Sequence, residues 1–134
     1  KQKIKNKPFT VVGNGKQKRD FLHVKDVANA FYMCAISKHK NKIYNLGASN
    51  PQRIIDLIKL LKGKYKFIPK RPGEPSCTWA NINKLKKDIN WAPQISFKDG
   101  INELLHNIDN WKDAPLWDQK KIQRATKLWF KHLS

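Results

Sequence analysis

Cysteine is scarce in this sequence, and its two cysteines lie far apart. They are Cys34 and Cys77, and no C-x-x-C spacing occurs. Zinc sites and redox-active dithiols need thiolates or imidazoles clustered at short spacing. We therefore expect two free thiols, no metal site, and a reducing, cytoplasmic location.

Long apolar runs are also missing. No run approaches the roughly 18 residues that a membrane-spanning helix needs. Residues 1–7 alternate lysine with other residues and contain no apolar stretch of the kind found in signal peptides. The sequence therefore predicts no membrane partner.

Acidic residues and arginine are both few. Ten Asp and Glu stand against 28 Lys and Arg, which gives a formal net charge of +18, and four of the basic residues are arginine. Such a charge favours nucleic acid or another anionic polymer as a partner. Base and phosphate recognition, however, favours the bidentate guanidinium, and the lysines are spread through every segment. We expect a solvated lysine coat, and keep a basic module for an anionic polymer as the alternative.

The apolar content is high enough for a folded core. Hydrophobic residues make up 40% of the 134 residues. This length suits one domain and is too short for a complete two-domain enzyme. We expect residues 1–134 to form a single unit. Its five tryptophans are interpreted as core anchors: Trp79, Trp91, Trp111, Trp117 and Trp129.

The first half of the chain alternates strand and helix patterns. A β-prone run at residues 9–12 stops at a Gly-Asn-Gly turn, and residues 19–24 resume an extended pattern. Asp26 is predicted to cap a helix whose apolar residues 27–35 should be buried. Further on, residues 42–47 predict a strand, and a helix is expected from about Pro51 to Leu61.

The middle of the chain predicts a third strand and a loop. Gly63 is expected to end the preceding helix, and residues 65–68 form the strand pattern. Residues 69–75 are too rich in proline for regular structure and favour a functional loop.

The second half is mostly helical. Two apolar stripes at helical spacing predict two helices. The first stripe consists of Ile101, Leu104, Leu105, Ile108 and Trp111, and the second of Ile122, Ala125, Trp129 and Leu133. The pattern as a whole predicts an α/β unit with a helical C-terminal tail.

Four short motifs occur along the chain. They read GNGKQKRDFLHVKDVA at residues 13–28, YNLG at 44–47, RPGEP at 71–75 and WAPQISFKDG at 91–100. In this order and spacing they resemble the extended short-chain dehydrogenase/reductases, the NAD-dependent sugar-nucleotide epimerases and dehydratases typified by UDP-glucose 4-epimerase. The resemblance covers about residues 8–105. It implies the C-terminal portion of a Rossmann-type α/β enzyme, with the edge of the parallel sheet and the small substrate-binding domain.

The resemblance also implies a site for a nucleotide sugar. Arg19 and Arg71 would hold the diphosphate, and Glu74 would lie near a ribose hydroxyl or orient an arginine. Thr10 and Val12 would line the base. A guanidinium suits this role because its planar fork matches pairs of anionic oxygens.

Simpler interpretations exist for two of the polar residues. Arg19 could form a surface ion pair with the adjacent Asp20, which would carry little energy. His23 lies inside an apolar extended run, where a packed histidine is more common than a catalytic base.

The family's cofactor and catalytic motifs are missing from this sequence. No G-x-x-G-x-x-G turn is present, although the family uses one to cradle the pyrophosphate of NAD. The Tyr-x-x-x-Lys pair is missing too, since Ile36, Ala48 and Pro69 stand four residues after the three tyrosines. We expect a fragment without the N-terminal NAD-binding half. Alone, it should bind no NAD, show no turnover, expose apolar surface and be prone to homo-oligomerise.

Two functions therefore follow from the sequence. The first is the nucleotide-sugar-binding portion of an NAD-dependent epimerase or dehydratase. The second is a basic module for nucleic acid or another anionic polymer.

Overall fold

The computed structural model describes residues 1–133, which fold into helices around short strands. The strands are β1 (Phe9–Val12), β2 (Lys18–Arg19), β3 (Gln52–Arg53) and β4 (Tyr65–Ile68). The helices are α1 (Val24–Ile36), α2 (Ile54–Leu61), α3 (Asn83–Ile89), α4 (Phe97–His106), α5 (Gln119–Ala125) and α6 (Lys127–Leu133). A 3-10 turn, Ile108–Trp111, follows α4. The predicted α/β unit with a helical tail is confirmed.

The strands β1 and β4 form a parallel pair in the register Phe9↔Tyr65 to Val12↔Ile68. Both were predicted with these bounds. Side chains alternate across a strand, so Phe9 and Val11 point to one face, where they pack against Ile58 of α2. Thr10 and Val12 are left on the opposite, half-buried face. This small sheet positions the loops that follow its two strands.

The strands β2 and β3 form a two-residue antiparallel pair. Lys18 also exchanges backbone hydrogen bonds with residues 76–78: its N–H donates to Ser76 O at 2.8 Å, and its O accepts from Thr78 N at 3.2 Å. The segment before α1 is thereby tied to the segment that follows the proline-rich loop.

A second core, separate from the cluster of Phe9, Val11 and Ile58, lies between α1 and α3. Ala30 packs with Ile82, Leu85, Ile89 and Trp91, all of which are buried. The helix α3 was not predicted, although Ile82, Leu85 and Ile89 recur at helical spacing. Its end is marked by Asn90, which adopts a left-handed φ of 55°.

The prediction that Asp26 caps α1 is wrong. The cap is His23, whose Nδ1 accepts from Lys25 N at 3.3 Å. Asp26 is buried in the first turn, and its carboxylate accepts from Gln94 N and Ile95 N at 3.1 Å each. This carboxylate thus joins α1 to the segment that precedes α4.

Other element predictions need correction. Residues 42–47 form no strand, because no described strand lies hydrogen-bonded beside them. The helix predicted from Pro51 begins at Ile54, since residues 52–53 pair as β3. It ends at Leu61, and Lys62 rather than Gly63 takes the left-handed conformation, with φ 50°.

Many apolar side chains expected in the core are exposed. Phe31, Tyr32 and Ile36 of α1 are more than 60% exposed, because one face of that helix packs on the second core and the others lie outside. Among the tryptophans only Trp91 is buried. The expectation of five core anchors is therefore wrong for Trp79, Trp111, Trp117 and Trp129.

The helical tail is divided into shorter pieces than predicted. The first stripe folds as α4 and the 3-10 turn, and the second is split between α5 and α6 at Thr126. The Thr126 hydroxyl donates to Ile122 O at 2.8 Å, a local bond that competes with continued helix. No helix within residues 1–133 is long and apolar enough to cross a membrane.

Candidate functional site

A cleft of about 350 Å³ lies where β1 and β4 end. The strands are parallel, so their carboxyl ends meet at one edge and the loops that follow them face each other. Gly13 N donates to Ile68 O at 2.9 Å, so the first residue after β1 is bonded to the last residue of β4. Its lining consists of Val12, Gly13, Asn14, Lys16, Gln17, Lys70, Glu74, Pro75 and Ser76.

The turn after β1 forms one wall of the cleft and is held firmly. Gly13 and Gly15 have left-handed φ values of 59° and 71°, which glycine adopts without steric cost. Gly15 O accepts from Ile55 N at 2.9 Å, so the turn rests on the start of α2. A β-carbon on Gly15 would lie 3.1 Å from Val11 Cγ1, which leaves little room for another residue.

Arg19 connects β2 to the opposite wall. Its Nη2 lies 2.7 Å from Glu74 Oε1, and its Nη1 donates to Pro75 O at 3.0 Å. Both side chains of the ion pair are largely shielded, with 23% and 19% of their surface exposed. The two residues are 55 positions apart, so the fold and not local sequence brings them together.

The interpretation of Arg19 and Asp20 as a surface pair is wrong. The Asp20 carboxylate accepts backbone N–H groups from Ser49, Asn50 and Ala80 at 3.1, 3.2 and 3.1 Å. It therefore ties three chain segments together. Arg19 pairs with Glu74 instead.

Arg71 and Glu74 belong to the same tight turn. Glu74 N donates to Arg71 O at 3.3 Å, and Gly73 between them has a φ of 68°. Arg71 is half-buried. The side chain of Arg19 binds Glu74 and Pro75, so it contacts the loop that contains Arg71. Neither arginine is among the residues that line the cleft.

Thr10 lies apart from this cleft. It shares the outer face of β1 with Val12, yet it lines a neighbouring cavity of about 230 Å³ together with Lys66 and Trp117. Its Oγ1 accepts from Gln2 Nε2 at 3.2 Å. Val12 and Glu74 thus line the cleft, Arg19 binds its wall, Arg71 belongs to its loop, and Thr10 occupies the adjoining cavity.

Two lysines that line the cleft were not predicted as site residues from the sequence. Lys16 follows the glycine turn and Lys70 precedes Arg71, and both line the cavity. The only carboxylate in the lining is Glu74, which is already paired with Arg19. Cationic groups therefore outnumber anionic ones, and the cleft is suited to an anion.

A larger apolar groove of about 490 Å³ lies elsewhere, between the start of α1 and α4. His23 lines it, and its side chain is 16% exposed. At its rim, the hydrogen bond from Lys25 holds the pKa of Glu103 below its ordinary value. The groove is lined mainly by Phe21, Leu22, Ile95, Phe97, Ile101, Leu104 and Trp111, so it offers apolar contact more than chemistry.

Tyr44 does not resemble an activated tyrosine. Burial, together with the hydrogen bond from its hydroxyl to Asp88 at 3.1 Å, raises its pKa. A tyrosine that transfers a proton near neutral pH needs the opposite shift, which a neighbouring lysine supplies. Lys84 lies 5.2 Å over the ring face, as a cation–π partner.

Comparison with known proteins gives a consistent set of relatives. Residues 1–104 match the family described as GDP-mannose 4,6 dehydratase. The chain is 33% identical over 109 residues to CDP-paratose 2-epimerase of Salmonella typhi, covering 74% of this chain and 32% of the relative. It is 31% identical over 121 residues to dTDP-glucose 4,6-dehydratase of Escherichia coli, covering 77% and 33%. It spans about a third of the length of these curated relatives.

Solved structures show the same similarity in three dimensions. UDP-glucuronic acid 4-epimerase from Bacillus cereus, in complex with UDP-glucuronic acid and NAD, superposes with a TM-score of 0.75 at 28% identity. The match covers 81% of this chain and 37% of that one. The similarity confirms the predicted Rossmann-type α/β class.

Proposed function

Because the chain belongs to the extended short-chain dehydrogenase/reductase family of sugar-nucleotide epimerases and dehydratases, we propose that it is the substrate-binding portion of such an enzyme. Its cleft at the ends of β1 and β4 would bind the diphosphate of a nucleotide sugar. The observation that carries the proposal is the contact of Arg19 with Glu74 and Pro75, in the loop that contains Arg71.

The ion pair prepares Arg19 for an anion. Glu74 and Pro75 O fix the guanidinium at 2.7 and 3.0 Å, so little side-chain freedom is left to be lost on binding. A guanidinium has five donor N–H groups and can bind phosphate oxygens in addition to a carboxylate. Glu74 therefore acts as an orienting group, and Arg19 and Arg71 as the diphosphate ligands.

The remaining predicted residues would act around the diphosphate. Val12 offers an apolar wall of the cleft, and Thr10 lies further along the same face of β1. Lys16 and Lys70 add positive charge without a fixed bidentate geometry. The base and the sugar, which lie at opposite ends of the diphosphate, would extend away from the arginines on either side.

NAD does not fit the described residues. In this fold family the pyrophosphate of NAD sits on a glycine-rich turn that leads into a helix N-terminus. Here the turn at Gly13 and Gly15 leads into β2 and not into a helix. We propose that NAD, which exchanges a hydride with the sugar, is held by a separate NAD-binding half of the parent enzyme.

The exposed apolar residues fit contact with such a half. Phe31, Tyr32 and Ile36 of α1 are 62–70% exposed, and Ile43, which follows this helix in the sequence, is 87% exposed. An isolated soluble domain seldom leaves so many large apolar side chains in water. We propose that the NAD-binding half covers them, and that without it the chain tends to self-associate.

The first prediction concerns the cofactor. The chain alone should bind no NAD measurable by calorimetry and should turn over no sugar nucleotide, since the glycine turn and the tyrosine–lysine pair are missing from its sequence. An epimerase assay with UDP-glucose and added NAD measures the second point. Turnover by the purified chain would show that the assignment of the chemistry to another half is wrong.

The second prediction tests the proposed function against the polymer alternative. UDP-glucose should bind to the chain, plain nucleic acid should compete poorly for its site, and the affinity for UDP-glucose should fall only moderately as salt rises. A polymer-binding module should lose about 10³-fold or more in affinity between 50 and 200 mM salt and tolerate any sequence. Tight binding of single-stranded nucleic acid, with no response to UDP-glucose, would favour the basic module suggested by the charge of +18.

A further inference from the structure

The C-terminal tail, residues 112–133, packs against the loop that contains Arg71 and Glu74. Trp129 Nε1 donates to Pro72 O at 2.7 Å. A β-carbon on Gly73 would lie 3.8 Å from Leu133 Cδ1, so the end of α6 lies beside the next residue of the loop as well. The family match ends at residue 104, so these contacts come from outside the matched region.

The tail is also anchored at its start. Trp117 O accepts from Gln2 Nε2 at 2.7 Å, and the same nitrogen donates to Thr10 Oγ1. Thr10 pairs with Lys66 in the sheet, and both line a cavity that Trp117 also lines. The tail therefore runs from the outer face of β1 to the loop after β4.

The loop at residues 71–75 has little support of its own. Pro72 and Pro75 have no N–H to donate, and the turn is closed by the 3.3 Å bond between Glu74 N and Arg71 O. Arg19 holds the far end of the loop through Glu74 and Pro75. The bond from Trp129 holds Pro72, directly beside Arg71.

We propose that Trp129 is a positioning residue for the diphosphate-binding loop. Its indole N–H fixes the Pro72 carbonyl and thereby holds the backbone of Arg71 and Glu74 in the geometry that accepts a nucleoside diphosphate. The proposal rests on the proposed function of the cleft. This role of Trp129 would make ligand affinity depend on the tail, which the apolar stripe of residues 122–133 does not indicate.

The test compares two Trp→Phe variants of the 134-residue chain. Trp129→Phe removes the bond to Pro72 and keeps an aromatic ring. The matched control is Trp79→Phe. It removes an indole hydrogen bond to Ser49 Oγ at 3.3 Å from a residue that is 70% exposed. Hydrogen exchange of the Glu74 amide and calorimetric titration with UDP-glucose are measured for both.

We expect Trp129→Phe to speed exchange of the Glu74 amide about threefold to tenfold and to weaken UDP-glucose binding by a similar factor. Trp79→Phe should leave both quantities within about twofold of the parent. Trp129→Ala should match or exceed the effect of the phenylalanine variant.

Each outcome decides the proposal. Unchanged exchange at Glu74 in both Trp129 variants would show that Trp129 does not hold the loop. Faster exchange with unchanged affinity would show that the loop geometry held by Trp129 does not support binding. If the parent chain binds no UDP-glucose, the proposed function of the cleft fails together with the ligand role of Trp129. The exchange data then decide separately whether Trp129 holds the loop.

Discussion

Replacing Asp26 with alanine is expected to lower the free energy of unfolding by about 2–4 kcal/mol. Asp26 is 4% exposed, and its two carboxylate oxygens accept from Gln94 N and Ile95 N at 3.1 Å each. Alanine would leave both amides without these acceptors in a partly buried segment, at a cost of about 1–3 kcal/mol for each unsatisfied group. Urea unfolding followed by circular dichroism measures the change.

Two variants make this result specific. Asp26→Asn keeps one carbonyl oxygen as an acceptor and should lose an intermediate amount of stability. It can still be measured if the alanine variant does not fold. Asp109→Ala removes an exposed carboxylate from the first turn of the 3-10 helix and should change stability by less than about 0.5 kcal/mol. Equal stability of Asp26→Ala and the parent would show that the hydrogen bonds from Gln94 and Ile95 to Asp26 do not stabilise the fold.

Asp26 also shows where sequence reasoning stopped. An acidic residue just before an apolar run is typical of a helix cap, so the local pattern predicted one. The actual acceptor role joins two motifs that are 68 positions apart, and no local pattern contains that information. The cap itself is His23, which is not among the residue types that usually occupy this position.

The strands illustrate what local sequence can and cannot predict. Residues 9–12 and 65–68 were predicted with correct bounds because β-branched and aromatic residues are bounded there by glycine or proline. Residues 42–47 have a similar composition, yet a strand also needs a hydrogen-bonded neighbour, and none lies beside them in the described chain. The helix α3 was missed although the spacing of Ile82, Leu85 and Ile89 indicated it.

The candidate site was found only in part, and for a physical reason. Arg19 and Glu74 came from the resemblance, since residues 55 positions apart show no periodicity that would join them. Lys16 and Lys70 were missed because lysine is so frequent that no single one stands out. The tryptophans were assigned to the core by size, whereas Trp129 uses its indole N–H at the surface of the loop.

Charge and geometry have separate roles in the proposed site. Lysines spread over the whole chain raise the concentration of any anion near the surface, without selecting one. Selection needs fixed donors, and the structure fixes Arg19 through Glu74 and the Arg71 turn through Arg19 and Trp129. The affinity for a diphosphate should therefore depend on the arginines far more than on any one lysine.

Replacing Arg71 with alanine should accordingly weaken UDP-glucose binding by about 1.5–3 kcal/mol, or roughly tenfold to 150-fold. A charged hydrogen bond in a partly shielded cleft is worth this much, because water competes poorly for the phosphate oxygens there. Arg71→Lys should recover only part of the loss, since an ammonium cannot reproduce the bidentate fork. Calorimetric titration of the two variants and the parent measures these differences.

The control for Arg71 is a lysine of the solvated coat. Lys38→Ala removes the same formal charge from an exposed position after α1, so it should change affinity by less than about 0.5 kcal/mol. A loss in Lys38→Ala equal to that in Arg71→Ala would mean that total charge and not geometry controls binding. If Arg71→Ala binds like the parent, the diphosphate does not sit at this loop, and membership of the family specifies the fold of the chain but not its ligand site.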